Sequence, residues 1–188
     1  MNDSNLKEYQ LSQFAFEQGE LLLHDACRRI SESENLLFTT LFRNTHPVHF
    51  NYLRYSKKEL IICGGFVLSV VLSNSLKDLK QVVDQKILSC SHFNKINPDD
   101  TISSISYIHN IEVKEGFEVM TLKTLGLIDT DTQHFSDQLI PTDIFSKKEI
   151  RPSDFEKKLE HQFPELLNKV CLQVLWEVKR LHRKDRAR

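Results

Sequence analysis

Four side chains carry the most specific chemistry in this sequence: Asp99 and Asp100 after Pro98, then Glu112 and Lys114 in Ile111-Glu112-Val113-Lys114. Alternate residues of a β-strand share a face, so Glu112 and Lys114 would project together. Carboxylates are the hard oxygen ligands that Mg²⁺ prefers. Three weaker constellations accompany this set. Arg43 and Asn44 lie just upstream of His49. His24 and Cys27 are three residues apart, as are His46 and His49, which gives four zinc-competent side chains at spacings that match no structural zinc site. Finally, Lys179, Arg180, Arg183, Lys184, Arg186 and Arg188 face a lone Asp185, a local charge suited to phosphate.

The Pro98-Asp99-Asp100 and Ile111-Glu112-Val113-Lys114 pair resembles the active-site pattern of the PD-(D/E)xK nuclease superfamily. The resemblance implies Mg²⁺ held by Asp99 or Asp100 together with Glu112, and Lys114 assisting the nucleophilic water. Arg43-Asn44 followed by His49 is similar to the Rx4-6H pattern of RNA-cleaving HEPN domains. A helix end followed by a proline turn accounts for the same three residues.

The elements that must position these groups fall into three sections. From about Leu6 to Asn44 the pattern is helical: Phe14, Leu21, Leu22, Ala26 and Ile30 recur at helical spacing, and Ser31-Glu32-Ser33 caps a second helix carrying Leu37, Phe38, Leu41 and Phe42. After Pro47 the period becomes that of a strand. Gly64-Gly65 reads as a hairpin turn between Leu60–Cys63 and Phe66–Leu72, and Ser75 caps a helix reaching Cys90 to Phe93. A second meander runs through 102–108, 111–114 and 117–122, with turns at His109-Asn110 and Glu115-Gly116. Residues 126–148 read as a surface loop. Two helices close the chain, 154–162 capped by Ser153 and a long one from Pro164 to about Arg183. Strands in the middle and helices at both ends predict an α+β fold, an antiparallel sheet with helices packed on it, as one domain over 1–188.

The last helix gives the most definite expectation. Leu167, Val170, Cys171, Val174, Leu175, Val178 and Leu181 fall on one stripe, and Trp176 falls opposite it near Leu172. Leu172, Trp176, Lys179, Arg180, Arg183 and Lys184 are therefore the candidate binding surface, for a second copy of the chain or for single-stranded nucleic acid stacking on the indole.

Composition narrows the classes. The 188 residues are 40% apolar and 27% charged with a net charge of -1, which excludes disorder and gives no global field for a polyanion. The longest apolar run, Leu60 to Leu72, is too short for a membrane helix. Four dispersed cysteines and an N-terminus without a signal-peptide pattern point to reduced thiols in a cytoplasmic protein. The preferred expectation is a small non-catalytic binding protein without a cofactor. A Mg²⁺-dependent nuclease is the alternative.

Overall fold

In the computed structural model, residues 15–136, 139–147 and 152–181 are described. In chain order the elements are β1 (Leu21–Leu23), β2 (Arg28–Arg29), α1 (Glu32–Leu41), α2 (Gly64–Leu79), β3 (Val82–His92), β4 (Thr101–Lys114), β5 (Phe117–Ile128), α3 (Pro152–Gln162) and β6 (Val170–Leu181). All strands join one sheet in the order β1-β4-β5-β6-β3, with β2 beside β1 on β4, and every pairing is antiparallel. The fold class read from the sequence, α+β with an antiparallel sheet covered by helices, is correct.

Helix α2 lies on one face of the sheet. Phe66, Val67, Val70, Val71, Leu72, Asn74, Ser75 and Leu79 are its buried positions, all but Leu72 on an i, i+1, i+4, i+5 stripe, and they pack on Ile102, Ile108, Met120, Leu122, Val174, Trp176 and Val178. The opposite face is covered by 3-10 turns at Thr132–Phe135 and Thr142–Phe145 and by α3, through Phe135, Ile144, Phe145, Phe155 and Leu159. Strands so covered are buried on both faces, and their sequence loses the alternation that marks a half-exposed strand.

That loss explains the largest error of the sequence reading. The expected C-terminal helix is strand β6, whose residues from Val170 to Val174 are all buried. An unbroken apolar run fits a helical stripe and a two-sided strand equally well. The expected Gly64-Gly65 hairpin is instead the first turn of α2, whose β-branched residues imitate a strand. Lys80 and Gln81, with φ of 47° and 51°, end this helix, so the predicted helix from Ser75 to Cys90 is mostly strand β3. Leu21, Leu22 and Ile30 belong to β1 and to the segment after β2, and the earlier residues of the expected first helix lie outside the described set. His109-Asn110 is a bulge inside β4 rather than a turn. Local signals fared better. Ser31 caps α1 in a reciprocal capping box with Glu34. Glu115 and Gly116 form the β4–β5 turn with φ of 52° and 81°, the conformation that a two-residue hairpin needs and glycine adopts freely.

Candidate functional site

The loop between α1 and α2 is shaped by side chain to main chain hydrogen bonds. Asn44 Oδ1 accepts from the His46 amide at 2.9 Å, and the Pro47–His49 turn that follows has proline in its first turn. The His49 ring donates from Nδ1 to the Ile61 carbonyl at 2.9 Å. A carbonyl only accepts, so in the neutral ring the proton sits on Nδ1 and Nε2 keeps its lone pair. No hydrogen bond among the described residues engages that Nε2. Asn35, 3% exposed, ties this loop to the helix: its Nδ2 donates to the His49 carbonyl at 3.0 Å and its Oδ1 accepts from the Cys63 amide at 2.8 Å.

Cys63 is the N-cap of α2 but makes no side-chain cap. The Gly64 and Gly65 amides that follow find no main-chain acceptor, as expected for a first helical turn. Beside them, His92 at the end of β3 donates from Nε2 to the Gly64 carbonyl at 3.1 Å. His49, Gly64, Val67, His92, Phe93 and Ile96 help to line one cleft of about 330 Å³. An imidazole lone pair thus shares an apolar cleft with the positive end of a 16-residue helix. Such a site can take a proton from a carbon while main-chain amides stabilise negative charge developing on an adjacent carbonyl oxygen.

A second arrangement has the bonding order of an active site without its pattern of exposure. Asp78 Oδ2 accepts from His24 Nδ1 at 2.7 Å, and His24 Nε2 lies 2.8 Å from Ser106 Oγ. This is the bonding order of a Ser-His-Asp triad. Burial runs the wrong way, however: Ser106 is 0% exposed whereas the Asp78 side chain is 41% exposed. The hydrogen bond from His24 is the main reason that the Asp78 carboxyl is held below its usual range. The chain continues inward, with Ser106 Oγ 2.7 Å from Thr124 Oγ1, which accepts from Trp176 Nε1 at 2.8 Å. A cleft of about 450 Å³ adjoins His24, but its aspartates are already engaged: Gln133 Nε2 donates to Asp25, the Thr101 amide to Asp129, and the Gln133 amide to Asp131. The smaller cleft, with its free ring nitrogen, is the better candidate.

The residues expected to form a nuclease site do not converge. Asp99 accepts from Arg29 at 2.8 Å, and Asp100 accepts from the Asn97 amide at 2.8 Å. Glu112 and Lys114 pair with each other at the exposed end of the β4–β5 hairpin, where Asn110 also donates to Glu112. Twelve positions separate 100 from 112 along an extended strand, about 40 Å at about 3.4 Å per residue. No group of three or more potential metal ligands exists among the described residues, which include His24, Cys27, His46 and His49. Arg43 stands exposed at the end of α1 with a φ of 50°.

The expected binding surface is absent as well. Trp176 and Leu172 are 0% exposed and face α2, because β6 is a strand and its even-numbered residues point into the core. Arg180, 2% exposed, donates to Glu118 at 2.6 Å and to the Leu79 carbonyl at 2.8 Å. Lys179 lies 4.1 Å from the centre of the Phe117 ring. Arg183 and Lys184 are outside the described residues. Of the cleft residues, only His49 was singled out from the sequence, and for a different chemistry. The stripe from Phe66 to Leu79, directly after a glycine pair, was the signal that could have revealed a helix beginning beside it.

No family model matches this chain, and no curated protein does. Solved structures do. The chain is similar to a MaoC domain protein from Chloroflexus aurantiacus described as a dehydratase, with a TM-score of 0.66, 21% identity and 97% of this chain covered. It spans 49% of that protein's length. It is also similar to the (R)-hydratase from A. caviae involved in PHA biosynthesis, with a TM-score of 0.51, 12% identity, and 89% and 98% of the two chains covered. A 3R-hydroxyacyl-ACP dehydratase complex from Mycobacterium tuberculosis aligns with a TM-score of 0.53, 12% identity, and 88% and 98% covered. The fold is therefore the hotdog fold, an antiparallel sheet wrapped on a central helix. These neighbours are enzymes, and together with the buried Trp176 and the scattered carboxylates they overturn both the non-catalytic binding reading and the nuclease. No helix among the described residues is long and apolar enough to cross a membrane.

Proposed function

We propose that this chain is a lyase of the hydratase/dehydratase type acting on acyl thioesters, with the cleft at the N-terminus of α2 as its active site. The observation that carries this reading is the free Nε2 of His49 in one cleft with the Gly64 turn. In the dehydrating direction His49 takes the proton on the carbon next to the thioester carbonyl, and the Gly64 and Gly65 amides of the first helical turn stabilise the oxygen as charge develops. The pinned Nδ1–H keeps the ring in the tautomer that can accept. The apolar walls, Val67, Phe93 and Ile96 among them, suit an acyl chain and keep water from competing. Neighbours described as acting in these reactions support the choice of substrate class.

Self-association belongs to the same reading. The interior position of β6 removes the expected contact through a C-terminal helix. β3 is one edge of the sheet, its Val83, Ile87 and Leu88 are exposed, and a neighbour twice as long as this chain supports two such units side by side. Incubation with the short 2-enoyl thioester crotonyl-CoA tests the activity. Loss of the conjugated enoyl absorbance, abolished in His49→Ala, is expected. A wild-type protein that leaves both crotonyl-CoA and longer 2-enoyl thioesters unchanged rejects the reading.

A further inference from the structure

Removing the elements of water from a 3-hydroxyacyl thioester needs two proton movements, one from carbon and one onto the departing hydroxyl. His49 accounts for the first. No carboxylate lines the cleft, so the usual second acid is missing from it. Besides His49, the ionisable side chains on its walls are His92, Lys95 and Cys171. Burial pushes the Cys171 thiol up to about 12, too weak an acid for neutral pH. Lys95 is exposed and held by no hydrogen bond among the described residues, so its ammonium is not positioned as the ring of His92 is. His92 remains.

Its setting is that of a positioned side chain. Nε2 is held by the Gly64 carbonyl, as Nδ1 of His49 is held by the Ile61 carbonyl, so both rings are oriented by the same short approach to α2. Nδ1 of His92 is engaged by no hydrogen bond among the described residues. Residue 64 is fitted to this ring: a Cβ there would lie 2.8 Å from His92 Nε2, closer than side chains tolerate. A glycine thus leaves room for the imidazole against the helix N-terminus. His92 is also exposed, so it can carry charge cheaply and recover its proton from solvent.

We infer that His92 is the second proton-transfer group of the cleft, the acid that protonates the leaving hydroxyl while His49 acts as base; the inference rests on the lyase reading above. In the dehydration, the C2 proton passes to Nε2 of neutral His49. The C–H electron pair forms the C2–C3 double bond. The C3–O bond breaks, its electrons leave with the hydroxyl, and Nδ1–H of the His92 imidazolium supplies the proton that completes water. Hydration reverses each step, with neutral His92 activating the water and the His49 imidazolium returning a proton to C2.

The test uses the full chain with crotonyl-CoA and three substitutions. His92→Ala lowers kcat about 10²- to 10⁴-fold with KM changed less than about threefold, the range of a lost general acid. His92→Gln, which can still donate to the Gly64 carbonyl but cannot transfer a proton, stays equally slow. Added imidazole restores turnover to His92→Ala, an effect that a purely structural role cannot produce. Gly64→Ala, which displaces the ring without changing its chemistry, gives an intermediate loss. Wild-type kcat in His92→Gln, or no rescue by imidazole, overturns the inference while leaving the lyase reading intact. If wild type hydrates no thioester, that reading has failed, and imidazole nitrogen NMR of the unliganded protein decides the remaining claim. An Nε2–H of His92 shared with the Gly64 carbonyl supports the placement, and a ring protonated at Nδ1 only overturns it.

Discussion

Two histidines of this protein sit in similar frames and differ in what their rings leave free. His24 is 1% exposed and has both ring nitrogens bonded, one to Asp78 and one to Ser106. His49 has one nitrogen pinned to a carbonyl and the other free in a cleft. With the ring neutral, the first belongs to a chain of donors that runs one way, from Trp176 N–H through the Thr124 and Ser106 hydroxyls to His24 and Asp78. Every donor there is used, and the Ser106 and Thr124 hydroxyls lie on residues that are 0% exposed. A triad's bonding order here belongs to a polar core, whereas an incomplete set of bonds beside a helix N-terminus is what favours the proposed site. Unused hydrogen-bonding capacity at a cleft separates them, and resemblance to a known catalytic arrangement does not.

The largest effects should divide along this line. His49→Ala is expected to lower thioester hydration by about 10²- to 10⁴-fold while the urea unfolding midpoint stays near wild type. His24→Ala should do the reverse. It leaves Asp78 and Ser106 without their partner and opens space in a packed core, so a loss of about 2–4 kcal/mol in urea unfolding is expected, with kcat per folded molecule preserved. A His24 variant that is stable but inactive would transfer the active site to the triad and end the distinction.

Asn35→Asp sharpens the comparison at smaller scale. Aspartate can still accept from the Cys63 amide but cannot donate to the His49 carbonyl, so the helix end stays clamped while the loop carrying the base loosens. A loss of kcat of about tenfold, near 1.4 kcal/mol, with KM unchanged is expected. An equal rise in KM would mean that Asn35 shapes the cleft as a whole and does not hold the base in particular.

How much of this was legible beforehand depended on whether the deciding interactions were local. The Ser31 cap with Glu34 and the Glu115-Gly116 turn involve residues no more than three apart, and both were readable. β6 was not, because its character depends on α2 covering one face and the segment from Thr132 to Gln162 covering the other. The same holds at the site. His49 is visible as a residue, but the Ile61 carbonyl, twelve positions away, decides which nitrogen is free, and His92 arrives from the end of another strand. Chemistry read from spacing alone pointed to Glu112 and Lys114, which share a strand face as expected but form an exposed ion pair with each other, away from Asp99 and Asp100.

The smallest expected effect concerns acid, where each region holds a depressed carboxylate. Glu34, in the capping box that supports Asn35's helix, is lowered to about 2, chiefly by the Ser31 amide and then by Arg28. Asp78 is lowered mainly by its bond to His24. A carboxyl with a folded pKa below its unfolded value stabilises the fold fully above the unfolded value, near 4.5 for Glu34. That contribution fades as pH falls from there toward about 2, because the unfolded state binds the proton first. Stability measured by urea unfolding should therefore decline from about pH 4.5 downward. Glu34→Gln should remove part of that slope, since Gln cannot titrate while Asp78 still does. The remaining slope should shrink again in Asp78→Asn. A wild-type profile flat between pH 5 and pH 3 would mean that neither pair survives in solution as drawn here. An unchanged slope in Glu34→Gln alone would leave the acid response with the buried chain and take it away from the helix that positions His49.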